Sequence, residues 1–415
     1  MELRADVPVE ALCGDPARQI RKWLTRDRMT ACAGSLALAE LVLFAVAVAG
    51  THGLLVPLDH PPSTDFVSFH AAGALANAGT PWLAYDHAVH HAAEQAAIGF
   101  PAKYNYFYYP PVFLLICAPL AWLPYLWAFV LFQAIGAVAC WFAARMIRRD
   151  LPMVVLLAFP GLWWTFGTGQ NALLTAALFA AGTALLDRRP WLAGLCLGAL
   201  CYKPQVGLLI PVALIAGGHW RAFLAAAGTT LVLAGASLAL FGTATWEAFF
   251  HALATSGGVY AGHAIFLGGL TSSYGALLAL GAGWPAALAV QAGVTVLAAA
   301  VVACVWRRSA AMALPVRAAV LLAATPVAVP VLMFYDLMLV FVALVWLSRA
   351  PLASGSKGLT VTAIAVFLGP LLSGNLGTNS HWLAAFVTAS MAFALILAVA
   401  WRALEGLTTI PALND

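Results

Sequence analysis

Apolar runs alternate with small clusters of basic residues along this chain, and the alternation decides what it can fold into. Lys and Arg gather at Arg21/Lys22/Arg26/Arg28, Arg145/Arg148/Arg149, Arg188/Arg189, Arg221, Arg307/Arg308/Arg317, Arg349/Lys357 and Arg402. Only 9% of residues are charged and 63% are hydrophobic, whereas a soluble domain carries about a quarter charged residues. Lipid must therefore be the solvent for most of the chain. Cytoplasmic loops hold the Lys/Arg excess of a membrane protein. Placing every cluster on that side predicts spans near 31–50, 125–144, 151–166, 171–187, 190–202, 204–218, 222–241, 284–305, 316–331, 335–348, 358–374 and 383–401. The segments left on the opposite side, 51–124, 167–170, 242–283, 332–335 and 375–382, contain almost no basic residues. The expected fold class is an all-α polytopic membrane protein of about 12 transmembrane helices with both termini cytoplasmic.

Residues 1–30 read as a cytoplasmic N-terminal segment. They are polar and too long for the n-region of a signal peptide, so 31–50 is expected to be a retained span. A single membrane domain then covers 31–405, with a cytoplasmic tail at 406–415. Two outer loops are long. Loop 51–124 holds two short helical patterns, "TDFVSFHAAGALANAG" and "YDHAVHHAAEQAAIG", and loop 242–283 holds a third, "TWEAFFHALATSG". Residues 190–218 must go out and back across "YKPQ". Each arm is roughly 18–22 Å of helix, short of the ~30 Å hydrocarbon core. Irregular backbone at such depth is tolerated where it is buried in protein or lines a polar cavity. The cysteines lie mostly inside apolar runs without metal-ligand or C-x-x-C spacing, so they read as packing residues.

Polar residues at membrane depth or at a cavity mouth are the candidates for function, because burying them is expensive. Asp65 in "STDFVSFH" reads locally as a helix start, with Ser63 or Thr64 as N-cap and the carboxylate in the first turn. The same placement suits a general base at a membrane surface. Lys203, at the broken turn, either snorkels toward the surface or needs an anion: an internal partner such as Asp65 or Asp336, or a phosphate, for which lysine serves as a point charge. "GTGQNALL" offers either a plain helix-capping turn or the amides of Gln170 and Asn171 for a polar ligand. "NYFYYPP", with Tyr109, reads as an aromatic interface belt or as a set of rings that touches a sugar or phosphate. "FYDLML" carries Tyr335 and Asp336, the latter a helix-dipole partner or a second acid in the same cavity. His70, His87, His90, His91, His251, His263 and His381 read as loop residues rather than ligands.

Several of these pieces stand in a familiar order: Asp65 soon after the first span, then "AYDHA", "YYPPVFLLICAPLAWLP", "GQNALLTAALFAAG", "RRPWLAGLCLGALCYKPQVGLLIPVALI" and "TPVAVPVLMFYDLMLV". The ordered set resembles glycosyltransferase family 87 over about residues 30–350. That resemblance implies a GT-C-type membrane bundle whose active site lies on the extracytoplasmic face of the plasma (inner) membrane. It implies transfer of a hexose, mannose in the best-understood members, from a polyprenyl-phosphate sugar to a glycolipid or glycan acceptor with inversion. Asp65 matches the position of the catalytic base, and Lys203 would meet the leaving phosphate. Gln170, Asn171 and Tyr109 would help to hold phosphate or sugar. Mannose-transferring members carry histidine where this chain has "FYDLML". The lipid-phosphate sugar is a co-substrate, and neither a separate cofactor nor a tightly bound metal is expected, since no D-x-D nucleotide-sugar motif or metal cluster is seen. A multi-pass transporter or flippase for a lipid-linked sugar is the competing reading; it would use the same cavity without covalent chemistry.

Overall fold

The computed structural model describes residues 26–50, 64–256, 267–309, 311–350, 357–372 and 384–408. Residues 1–25, most of the expected tail, Ser63 with the start of the first outer loop, His263 and His381 lie outside the described residues. In chain order the helices are α1 (Arg26–Gly50), α2 (Phe66–Asn77), α3 (His87–Ile98), α4 (Leu114–Leu120), α5 (Tyr125–Ile147) and α6 (Met153–Leu157). Then come α7 (Pro160–Thr168), α8 (Ala172–Leu185), α9 (Pro190–Ala199), α10 (Ile210–Ala216), α11 (Trp220–Phe241) and α12 (Thr243–Thr255). The last six are α13 (Ser273–Ala279), α14 (Trp284–Arg307), α15 (Leu314–Ala328), α16 (Met338–Leu347), α17 (Lys357–Leu368) and α18 (Ala384–Thr408). No strand occurs among the described residues beyond one isolated bridge between Leu270 and Met333.

Four of these helices are long and apolar enough to cross a membrane: α5, α11, α14 and the Ala384–Arg402 part of α18. This chain is therefore a membrane protein of all-helical fold. Helices also occupy the other stretches expected as spans; α1 runs 25 residues, and the rest are apolar segments of 10–17 residues or shorter among the described residues. The run at 151–166 is interrupted before Pro160, which cannot donate a backbone hydrogen bond and so begins a new helix instead of continuing the old one. Large apolar side chains on α5, α11 and α14 (Trp127, Leu231 and Val296 among them) are exposed, as lipid-facing residues are. By contrast α15 and α16 are buried nearly all round, which is why their sequences show no polar face.

The short helices expected in the outer loops are present as α2, α3 and α12. Asp86 starts α3 in the ordinary way, its Oδ1 accepting the Ala88 and Val89 N–H groups at 3.0 Å each. The segment 101–110 that follows has no regular secondary structure and packs back on α3, with His91 Nε2 2.7 Å from the Ala102 carbonyl oxygen and the Asn105 N–H donating to Glu94 Oε2 at 3.1 Å.

The hairpin 190–218 is more broken than its sequence suggests. α9 has ten residues and α10 seven, separated by two 3₁₀ turns at 200–202 and 204–207. From the Arg189 end the first arm rises roughly 21 Å, less than the ~30 Å apolar core. It lies tightly against α11, because a Cβ at Gly194 or Gly198 would come within 2.4 Å of the Ala222 or Ala226 carbonyl oxygen. Two small residues four apart let the backbones meet.

Candidate active site

Asp65 begins α2, but its carboxylate does not cap the helix. It occupies the N-cap position itself with helical angles (φ −57°, ψ −18°) and makes no side-chain bond to the first turn. The expected cap Thr64 is spent elsewhere, its hydroxyl 2.7 Å from the Tyr125 hydroxyl. Instead, Asp65 Oδ2 accepts a 2.8 Å hydrogen bond from Gln170 Nε2, 105 residues along the chain. Its Oδ1 has no hydrogen-bond donor among the described residues.

Gly169 makes this reach possible. It ends α7 in the left-handed region (φ +71°), and a Cβ there would lie 2.6 Å from Phe66 Cβ and 2.9 Å from the Phe129 ring. Only glycine lets the 169–170 backbone approach the start of α2 so closely. The Gln170 amide is then oriented by its own oxygen. Tyr109 donates its hydroxyl to Oε1 at 3.1 Å, and the Asn171 N–H donates to the same oxygen at 3.4 Å. With Oε1 occupied by donors, Nε2 faces the carboxylate. Gln133, buried on α5, donates to the Gln170 carbonyl at 3.1 Å, and Tyr85 donates to the Tyr109 carbonyl at 2.8 Å.

The network continues through Asn171. This residue stands at the N-cap of α8 yet makes no side-chain cap bond; its Oδ1 accepts from Lys203 Nζ at 3.4 Å. Its Nδ2 is buried with no hydrogen-bond partner among the described residues. Lys203 sits between the two 3₁₀ turns and donates to Asp336 Oδ1 at 2.6 Å, both side chains almost wholly buried. Its ammonium also lies 5.4 Å from the Tyr335 ring centroid. Of the two internal partners expected for Lys203, the structure selects Asp336. Asp336 Oδ2 also accepts the Met333 N–H at 3.3 Å, at the start of the 3₁₀ turn that leads into α16.

All seven candidate residues therefore meet. Asp65, Gln170, Tyr109, Asn171, Lys203, Asp336 and Tyr335 form one connected cluster drawn from five parts of the chain. Burial pushes the Asp65 carboxyl above the usual carboxylate range, opposed by the Gln170 hydrogen bond and the Lys203 charge. The result is an ionisable acid with one oxygen held and the other open, beside a buried cation.

Gln133 is the residue that sequence reasoning missed. As an isolated amide inside the apolar run "FVLFQAIG", it carried the signal of a polar group at membrane depth. The histidines divide differently from expectation. His70 and His90 are not loop ornaments but buried groups, with Nε2 2.9 Å from the Leu123 carbonyl and 3.0 Å from the Ser68 carbonyl. They fix α2 against its neighbours.

Beside the broken turn lies an apolar groove of about 540 Å³ between the hairpin arms and α11. It begins at Cys201 and Pro204, flanking Tyr202–Lys203, and runs along Leu197, Leu208, Leu214 and Leu231.

Residues 107–330, just over half of the chain, match the model of glycosyltransferase family 87. The match contains Tyr109, Gln170, Asn171 and Lys203; it begins after Asp65 and ends before Asp336. No curated protein and no solved structure matches the chain.

Proposed function

Because this chain belongs to glycosyltransferase family 87, we propose that it moves a hexose from a polyprenyl-phosphate sugar to an acceptor hydroxyl, with Asp65 as general base. The observation that carries this reading is the freedom of Asp65: a carboxylate at a helix start that neither caps the helix nor pairs with a cation, held by one oxygen from Gln170.

In the proposed reaction the open Oδ1 takes the proton of the acceptor hydroxyl. The acceptor oxygen attacks the anomeric carbon from the face opposite the lipid phosphate. As the new C–O bond forms, the bond to phosphate breaks and its electron pair leaves on the phosphate oxygen, so the configuration inverts. Lys203 has one N–H left after Asp336 and Asn171 are served, and the unpartnered Asn171 Nδ2 stands next to it. These two donors meet the departing phosphate, where negative charge accumulates. The apolar groove beside the Lys203 turn supports a lipid-borne donor, since apolar side chains line it along the hairpin and α11. Mannose is the proposed sugar on the family resemblance, and the extracytoplasmic face of the plasma membrane is the proposed location, on the distribution of the Arg clusters.

Purified protein in vesicles with a radiolabelled polyprenyl-phosphate hexose tests the reading. Label should pass to a new acceptor with wild-type protein and stay on the donor with Asp65→Asn. Movement of intact donor across the bilayer, with no transfer by either protein, would establish a carrier instead.

A further inference from the structure

The segment that delivers Tyr109 carries a second set of rings that this chemistry leaves unused. Residues 101–110 carry no regular secondary structure, and their ring contacts sort the aromatic side chains into two rows. Phe107 and Tyr109 turn inward, the first buried against Tyr85 and His90 and the second bonded to Gln170. Tyr104, Tyr106 and Tyr108 turn outward and remain partly exposed. They form a row: Tyr104 and Tyr106 meet at 4.7 Å between centroids, and Tyr106 and Tyr108 stack at 5.5 Å with 9° between planes. His87 closes one side, 5.3 Å from both Tyr104 and Tyr106. None of the three tyrosine hydroxyls has a hydrogen-bond partner among the described residues.

A membrane-interface belt, the plainer reading of these tyrosines, is supplied elsewhere. Trp122 and Trp127 at the start of α5 and Trp284 at the start of α14 are 76%, 70% and 56% exposed, as single rings that anchor a span end. The tyrosine row instead rests on α3, whose main packing partners are α2 and the 81–85 turn rather than the long spans. Within the row the rings pack against one another.

We infer that Tyr104, Tyr106 and Tyr108, with His87, form a platform for the saccharide chain of the acceptor. The inference rests on the glycosyltransferase reading above and narrows its acceptor to a glycan. A pyranose ring has an apolar C–H face and a rim of hydroxyls. It matches a surface of aromatic rings with unpaired phenol hydroxyls and an imidazole at the edge, as amphipathic rings suit any partner that is apolar on one side and polar on the other. From Tyr104 to Tyr108 the ring centroids span at most about 10 Å, room for about two or three sugar rings once the ring edges are counted. The row ends one residue from Tyr109, so a chain lying on it is held beside the site while its terminal unit reaches Asp65. Contacts to a remote part of a substrate lend binding energy to the reacting end. Burial holds the Tyr108 phenol up at about 12, so it remains a donor at neutral pH.

Saturation-transfer NMR on the full-length protein in nanodiscs, titrated with manno- and gluco-oligosaccharides of one to four units, tests the platform without any transfer step. Affinity for at least one series should rise with length up to about three units. Tyr106→Ala and Tyr108→Ala should each weaken the trisaccharide by about 3–10-fold, with Tyr106→Trp retaining it. Length-independent binding, or trisaccharide binding unchanged in both alanine variants, would overturn the platform. So would quenching of these tyrosines by brominated lipid, which would assign them to the bilayer. If oligosaccharides bind as expected and no sugar is ever transferred, the platform stands and the transferase reading falls. If transfer proceeds with an acceptor KM indifferent to Tyr106→Ala, the reverse holds.

Discussion

Asp65 and Asp336 are two acids at helix starts, each expected from local sequence to be a dipole partner, and the structure treats them in opposite ways. Asp336 is fully engaged: one oxygen holds Lys203 at 2.6 Å and the other caps its own turn. Asp65 leaves its helix uncapped and keeps one oxygen open. A carboxylate with both oxygens committed to protein donors is a structural element. One that has been held in place and left unspent is poised to accept a proton. The difference does not come from the two local sequences. It comes from what the tertiary structure brings opposite each acid, a lysine in one case and a glutamine amide in the other.

The contrast can be broken by substitution, and the largest effect is expected at Asp65. Asp65→Asn should lower sugar transfer by about 10²–10⁴-fold while thermal stability stays level or rises, because a half-buried charge is removed. Loss of folding instead of activity would make Asp65 structural, like Asp336. Asp336→Asn should do the opposite. Removing one partner of a buried ion pair costs about 3–5 kcal/mol, visible as a large drop in unfolding temperature, and Lys203→Met in the same chain should recover much of it. Added polyprenyl phosphate should also recover stability in Asp336→Asn if the lysine is a phosphate ligand; no response to the lipid would confine Lys203 to the ion pair.

Two smaller effects sharpen the comparison. Transfer requires ionised Asp65, so its rate should fall as pH drops through a carboxyl value that burial has raised. Gln170→Ala removes a hydrogen bond that favours the ionised form, so this acidic limb should move to higher pH; an unmoved limb would mean that another group limits the rate. A last effect, on stability rather than transfer, belongs to Glu94, buried under the 101–110 segment, with Oε2 accepting the Asn105 N–H at 3.1 Å. Burial holds its carboxyl at about 8, against 4.5 for an ordinary glutamate. The folded protein keeps a proton that the unfolded chain has released, so Glu94 makes stability decline as pH rises from about 4.5 to about 8. Glu94→Gln keeps an acceptor for Asn105 and should flatten that decline in thermal-shift scans.

Much of this architecture was legible in the residues. Apolar runs and basic clusters located the helices, and "TDFVSFHAAGALANAG" and "YDHAVHHAAEQAAIG" announced α2 and α3. Polar groups in an apolar chain are few, so Asp65, Gln170, Asn171, Lys203 and Asp336 stood out as candidates. Gln133 had the same signal and was passed over, because a single amide within a span reads as ordinary tolerance until its partner is known.

What the sequence determined by itself is therefore the solvent, the helices and the short roster of groups that could do chemistry, since each follows from the cost of charge and unpaired backbone in lipid. Which of those groups touch was decided only in three dimensions. The Asp65–Gln170 contact spans 105 residues and depends on Gly169 fitting against Phe66. The Lys203–Asp336 pair spans 133. Local propensity carries no information about either distance. It read Asp65 as a first-turn dipole partner and offered Asn171 a capping turn as one of two roles, whereas packing turned the carboxylate toward a glutamine and the amide toward a buried lysine.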